Sequence, residues 1–333
     1  MSRWTKGAAA LATAALAAAV FSASPASSVE EAPAAYTVVL GDSGCELAMV
    51  DLTTGALSDL PAGASPLACA TDLAVSTDGT VYGLLPGPGS EVDAGPLAVD
   101  AARLVTFAAD GTPSATPIEV ADGTEAFLAL GGLAITSGGT VYAQMVTDSP
   151  GCDAEAVSPP STGLAPTYAG DSVCLFTVDP AAGTATLVGT TGLFETVFAG
   201  LTSCSSGLRS VADTSENGTL VSESATTGLV TPLAPLDTTV SGYDCQSTGD
   251  TLYAVVSQGG FGVIGPAAVE ASVGTLEQGT GAYTAVAPLS DQGAQLVSLA
   301  VVPASAPTPT TEPPAVEPDD TGRGDQVVPS FTG

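Results

Sequence analysis

An alternation of two hairpin-forming segments, running from near Tyr36 to Pro303, constrains this chain more than any other feature. The first segment is an alternating apolar strand, a glycine turn and a second strand. It stands as LAVSTDGTVYG (Leu73–Gly83), LAITSGGTVYA (Leu133–Ala143) and YDCQSTGDTLYA (Tyr243–Ala254), with a degraded copy, LTSCSSGLRSV (Leu201–Val211). The second is strand, small polar turn, strand. Its copies are LAMVDLTTGALSDL, LVTFAADGTPSATPIEV, LFTVDPAAGTATLVG, LVSESATTGLVTPL and VGTLEQGTGAYTAV, with turn glycines Gly55, Gly111, Gly183, Gly228 and Gly281. Glycine supplies the positive φ that tight hairpin turns require. The alternating residues on either side place one face of each strand inward.

The two segments interleave in strict order, beginning with the second kind and ending on a lone strand, LVSLAVVP, from Leu296. One segment of each kind makes a four-stranded sheet. Turns of the first kind fall at Gly79, Gly139, Gly207 and Gly249, spaced by 60, 68 and 42 residues. Propeller blades carrying loop insertions have such spacing. A chain that opens on one half of a sheet and closes on the missing strand can sew a ring shut, leaving no large sheet edge in water. The pattern predicts an all-β fold: a β-propeller of five four-stranded blades, with one blade shared by the N- and C-terminal strands. The alternatives are six or seven blades, or a β-sandwich. A sandwich demands neither the alternation nor the split termini.

The stretch LFTVDPAAGTATLVGTTG (Leu175–Gly192) resembles the secreted bacterial β-propellers whose blades carry LYTVDPATGAATLVGTTG-like segments. LAVSTDGTVYG is similar to blades of the NHL and YVTN types. The resemblance covers most of 36–303 and implies fold and export. It implies no single activity, because propellers host many.

The ends of the chain read differently. Arg3 and Lys6 precede an apolar run, Gly7–Phe21, followed by small residues. This is the pattern of a secretory signal, expected to span 1–28, with cleavage after Ala26 or Ser28 and a short linker over 29–35. The run is too short to span a bilayer of ~30 Å. The mature form is expected to be secreted, with no membrane insertion. Residues 304–333 are rich in Pro, Thr and acids, a composition expected to be disordered. That tail holds the tripeptide Arg323-Gly324-Asp325 and ends in PSFTG, which lacks the segments that wall sorting needs.

Six cysteines, Cys45, Cys69, Cys152, Cys174, Cys204 and Cys245, in an exported chain argue for disulfides. Six cysteines allow about 15 pairings, among which sequence alone does not choose; pairing of sequence neighbours is the expectation, Cys45 with Cys69, Cys152 with Cys174, and Cys204 with Cys245.

Composition removes many chemistries. The chain has no histidine, and its only tryptophan, Trp4, lies in the signal. Beyond the signal there is no lysine, and Arg103, Arg209 and Arg323 face 35 acids, a net charge of −32. A Ser-His-Asp triad, a Cys-His pair, a His-held zinc and a Schiff-base lysine are therefore impossible. No basic stripe exists for nucleic acid. The reading that follows is a secreted, monomeric, non-catalytic binding or scaffold protein for an unknown protein or small ligand, without a cofactor. The alternatives are a carboxylate-based glycoside hydrolase and a Ca²⁺-binding propeller. Five acids at or before the inner strands, Asp72, Glu125, Glu195, Asp237 and Asp291, are the candidate channel ligands. Arg209 stands in the degraded copy, where other copies are read as carrying Val or Leu, and is read either as a channel-facing charge paired with an acid or as an exposed strand residue. Asn217-Gly218-Thr219 is a formal glycosylation sequon read as a turn. The acidity is read as a device for solubility, with cation binding second.

Overall fold

The computed structural model describes residues 33–41, 44–85, 102–124, 126–127, 131–147, 151–152, 172–194, 198–212, 218–245, 249–257, 270–291 and 295–303. They build five antiparallel sheets. Blade I comprises Asp72–Val75, Val81–Leu85, Arg103–Phe107 and Pro113–Pro117. Blade II comprises Leu133–Ile135, Val141–Thr147, Ser172–Asp179 and Thr184–Phe194, extended by Ala126–Phe127 and by Glu119–Val120, which joins in parallel. Blade III is Phe198–Cys204, Gly207–Ala212, Thr219–Glu223 and Val230–Pro235; blade IV is Gly242–Cys245, Leu252–Val256, Ser272–Leu276 and Tyr283–Pro288. In blade V, Gln295–Leu296 and Ala300–Val301 supply the inner strand to Ala34–Gly41, Gly44–Asp51 and Leu57–Asp59. The inner strands contact one another in succession, and that of blade V meets that of blade I. The ring of five is closed as the repeat order predicts, and the six- and seven-bladed and sandwich alternatives fall away. The first strand begins at Ala34, inside the stretch expected to be linker. Among the described residues no helix is long and apolar enough to cross a membrane.

Each sheet buries both faces against its neighbours, so the core is a set of wedges between blades. One apolar cluster fills each of the I–II, V–I, IV–V and III–IV wedges. The II–III wedge differs: its apolar packing is split into two small groups, Val146/Val173/Ala212/Val221/Val230 and Ala134/Leu175/Leu201/Leu208.

The turn glycines of the second segment do more than turn. Gly55, Gly111, Gly183, Gly228 and Gly281 all have positive φ. Each also lies against the outer strand, or the residues just past it, of the preceding blade. A Cβ on Gly55 would sit 2.0 Å from the Pro288 carbonyl oxygen, on Gly183 2.4 Å from that of Pro117, on Gly228 2.5 Å from that of Gly189 and on Gly281 2.0 Å from that of Pro235. Backbone bonds run across the same contacts: Ser290 N donates to Gly55 O and Glu119 N to Gly183 O, both at 2.8 Å. The glycine thus lets one blade's outer turn seat on the next blade.

Three disulfides join Cys45 to Cys69, Cys152 to Cys174 and Cys204 to Cys245. The last bolts the inner strands of blades III and IV together.

Candidate functional site

Strand register aligns the blades residue by residue, and the departures from the repeat gather in the interior. At the start of each inner strand stand Asp72, Gly132, Gly200, Gly242 and Ser298. The glycines are there because the strands touch: a Cβ on Gly132 would lie 2.4 Å from Leu201, and one on Gly242 2.5 Å from Ser298. Asp72 instead reaches across, its Oδ2 accepting from Leu133 N at 2.7 Å and Leu201 N at 2.9 Å. Two positions further along, Asp244 replaces the alanine of Ala74, Ala134 and Ala300. Its Oδ2 accepts from Val301 N at 2.7 Å, and its Oδ1 accepts from Thr202 Oγ1. These two carboxyl groups clasp inner strands of different blades. Burial pushes the Asp72 carboxyl well above the usual range, against the pull of its amide donors. Burial likewise lifts Asp244 to about 7.

The third departure fills the II–III wedge. Glu223 occupies the register position that Val50, Phe107, Val178 and Leu276 hold in the other blades, all of them buried. Opposite it Gln144 replaces Val38, Leu84, Val211 and Val255 and is fully buried. Gln144 Nε2 donates to Glu223 Oε2 at 2.6 Å and to Ser210 Oγ at 3.3 Å. Ser210 Oγ and the Tyr243 hydroxyl both donate to Gly200 O, at 2.8 and 2.6 Å. Gly200 also brings this chain to the Asp72 carboxyl, since a Cβ on it would lie 3.4 Å from both Asp72 oxygens. Glu223 Oε1 is buried and has no hydrogen-bond partner. Burial raises its carboxyl from 4.5 to about 8, the Gln144 bond opposing. Burial also raises the Tyr243 phenol well above its usual range, with the Asp72 and Glu223 charges adding to the effect. A carboxyl group that gives up its proton near pH 8 can carry a proton at neutral pH, the task usually left to histidine.

Of the three described acids among the five expected at the channel, Asp72 lies among the inner strands. Asp237 and Asp291 are exposed on the described surface, with Asp237 Oδ1 accepting from Tyr283 N at 3.0 Å. Glu125, Glu195, Asn217 and the Arg323-Gly324-Asp325 tripeptide lie outside the described residues. Among the described residues no three of Asp, Glu and Cys gather where a metal ion could be held. Asp72 Oδ2 is taken up by its two N–H donors. Arg209 does not face the channel. Register places it where Tyr36, Tyr82, Tyr142 and Tyr253 stand, a correction to the apolar equivalence read from sequence. Arg103 opens the third strand of blade I, opposite Pro117. Sequence reasoning missed Asp244, Glu223 and Gln144. Glu223 and Gln144 stand in columns of the repeat that are otherwise apolar, and Asp244 in a column of Ala74, Ala134, Thr202 and Ala300.

No family model matches this chain, and no curated protein matches it. Solved structures similar to it are propellers. TolB from Acinetobacter baumannii is 11% identical, with a TM-score of 0.41, over 77% of this chain and 53% of that one. This chain therefore spans about half of TolB. A gluconolactonase of Xanthomonas campestris is 13% identical, TM-score 0.40, over 78% of each chain. The periplasmic gluconolactonase PpgL of Pseudomonas aeruginosa is 12% identical, TM-score 0.32, over 73% of this chain and 76% of that one. Two of these three are enzymes by name, and the reading of this chain as a non-catalytic binder or scaffold is corrected. Its reasoning was that a chain without His or Lys lacks catalytic groups. The Glu223 carboxyl, with a proton affinity near neutrality, removes that premise.

Proposed function

We propose that this chain is an exported hydrolase that opens a neutral cyclic ester, a lactone, by carboxyl acid–base chemistry. One observation carries the reading: Glu223 holds a buried carboxyl with one unpartnered oxygen and a proton affinity near pH 8. Ester hydrolysis asks for one group that moves a proton near neutrality and for no residue type this chain lacks. Glu223 as base takes a proton from water, the hydroxide adds to the lactone carbonyl, and the ring C–O bond breaks. The alkoxide then receives the proton, giving the hydroxy acid. The gluconolactonases named above act on a substrate of this class. A phosphorylated lactone is disfavoured: with a formal net charge of −30 and five basic residues in the whole chain, the protein repels an anion.

Export is part of the proposal. The signal pattern, the three disulfides and the likeness of Leu175–Gly192 to blades of secreted bacterial propellers support it. The test is a lactonase assay of the purified chain on a neutral aldonolactone, corrected for spontaneous opening. The rate should rise with pH through about 8, and Glu223→Gln should lower kcat by about 100-fold or more. Full activity in the variant, or no rate above the uncatalysed one, overturns the reading.

A further inference from the structure

A groove of about 620 Å³ lies along blade IV on the face of the hairpin turns. Ser206, Asp250, Thr275, Glu277, Gln278 and Thr284 line it, with Leu252 and Leu276 buried at its base. Its volume is that of a small-molecule site. Behind its wall sits Arg209, the lone arginine in a column of tyrosines and only 8% exposed. Arg209 Nε donates to Gln278 Oε1 at 2.8 Å, Nη2 to Ser206 Oγ at 2.7 Å and Nη1 to Leu208 O at 2.9 Å. Gln278 Nε2 in turn donates to Asp250 O at 2.8 Å. Asp250 Oδ1 accepts from Ser205 Oγ at 2.8 Å, Ser206 N at 2.9 Å and Ser206 Oγ at 2.9 Å. Three turns from two blades are thus held in one geometry by a buried guanidinium, and the Cys204–Cys245 disulfide ties the same two blades. A fork of fixed donors orients the groups around it. The strand tyrosine that the other four blades use here, buried at Tyr36 and half-buried at Tyr82, Tyr142 and Tyr253, carries a single hydroxyl and no such fork.

We propose that this groove binds a small polyhydroxylated cation of the amino-sugar class. The argument is by the groups present. Two carboxylates, Asp250 and Glu277, against the one buried Arg209 leave the groove negative, so it repels anions. Hydroxyl and amide groups from Ser206, Thr275, Thr284 and Gln278 match a ligand with several hydroxyls. Among the described residues no aromatic ring lines it, and the lining offers hydroxyls, carboxylates and an amide instead. The site is separate from Glu223, and its failure leaves the hydrolase reading standing.

The experiment is titration of the full chain with D-glucosamine, D-glucose and spermidine, followed by calorimetry. Glucosamine should saturate, and glucose, which lacks the charge, should bind at least about tenfold more weakly. Asp250→Asn and Gln278→Ala should each weaken glucosamine by about tenfold. Arg209→Lys, which keeps the charge and loses the fork, should weaken it too. Asp78→Asn, in the corresponding turn of blade I, should change nothing, and thermal melts check that all variants fold. The proposal is overturned by no saturable glucosamine binding, by equal binding of glucose, or by tighter binding of spermidine, which has no hydroxyls. Wild-type affinity in Asp250→Asn or Gln278→Ala, or an equal loss in Asp78→Asn, also overturns it.

Discussion

Asp72 takes the place that glycine holds in blades II, III and IV, and its carboxyl does between strands what the glycines do by closeness. The amides of Leu133 and Leu201 are buried and point at one oxygen. Removing the acceptor strands two donors, and each such loss costs about 1–3 kcal/mol. Asp72→Ala should therefore lower unfolding free energy in urea by roughly 2–5 kcal/mol. Asp72→Asn, which keeps one oxygen for the two amides, should lose markedly less. Equal losses in the two variants would show that the position needs a charge rather than an acceptor. This residue also marks how far sequence could go. Its place before an inner strand was legible from the repeat. Its role was not, because a carboxylate facing amides and one facing a cation look alike in sequence. Glu223 and Asp244 were legible in another way, as acids in columns of small or apolar residues with no other acid. A reading that sought acids on loops passed over them.

At the scale of the element, the hairpin turns were read correctly for their φ and incompletely for their contacts. Gly139 and Gly281 both have positive φ, 82° and 71°. Around Gly139 a Cβ would meet nothing within 4 Å, whereas at Gly281 it would lie 2.0 Å from Pro235 O. The pair separates conformational strain from crowding between blades. Gly139→Ala should cost about 1 kcal/mol, the strain of a left-handed backbone alone. Gly281→Ala must add displacement of an outer turn from its neighbour and should cost about 3 kcal/mol or more. Denaturant midpoints of the two variants check this, and equal midpoints would mean the inter-blade seat carries no energy. Sequence could not distinguish the two glycines, because the neighbour of Gly281 is supplied by a blade some 46 residues upstream. The ring itself was legible, because the order of hairpins and the orphan strand from Leu296 favour a closed array over a sandwich, while the number of blades was fixed by the five sheets of the fold.

For the whole molecule, two sources of negative charge act on stability, and they separate by salt. The surface acids repel one another in a chain of formal net charge −30, and that repulsion is screened within about 8 Å at physiological ionic strength. The interior acids are different, since Asp72, Asp244 and Glu223 all have proton affinities raised by burial. The folded state holds these protons at pH values where the unfolded chain has released them. Folding stability from these groups is then fully present below the unfolded carboxyl range near pH 4. It is lost as pH rises, until Asp244 and Glu223 ionise in the fold at about 7 and about 8. The slope is about 1.4 kcal/mol per pH unit for each group still protonated in the fold alone. Urea unfolding of this protein should therefore show stability rising as pH falls from 8 to 5, opposite to a protein held by ion-paired carboxylates. Raising salt to 1 M should lift the curve by screening the surface while leaving most of that slope in place, because buried groups are screened far less than exposed ones. Glu223→Gln should flatten the slope by about one proton's worth at either salt concentration. A slope that vanishes in 1 M salt would assign the pH dependence to the surface and leave the interior carboxyl groups with ordinary proton affinities.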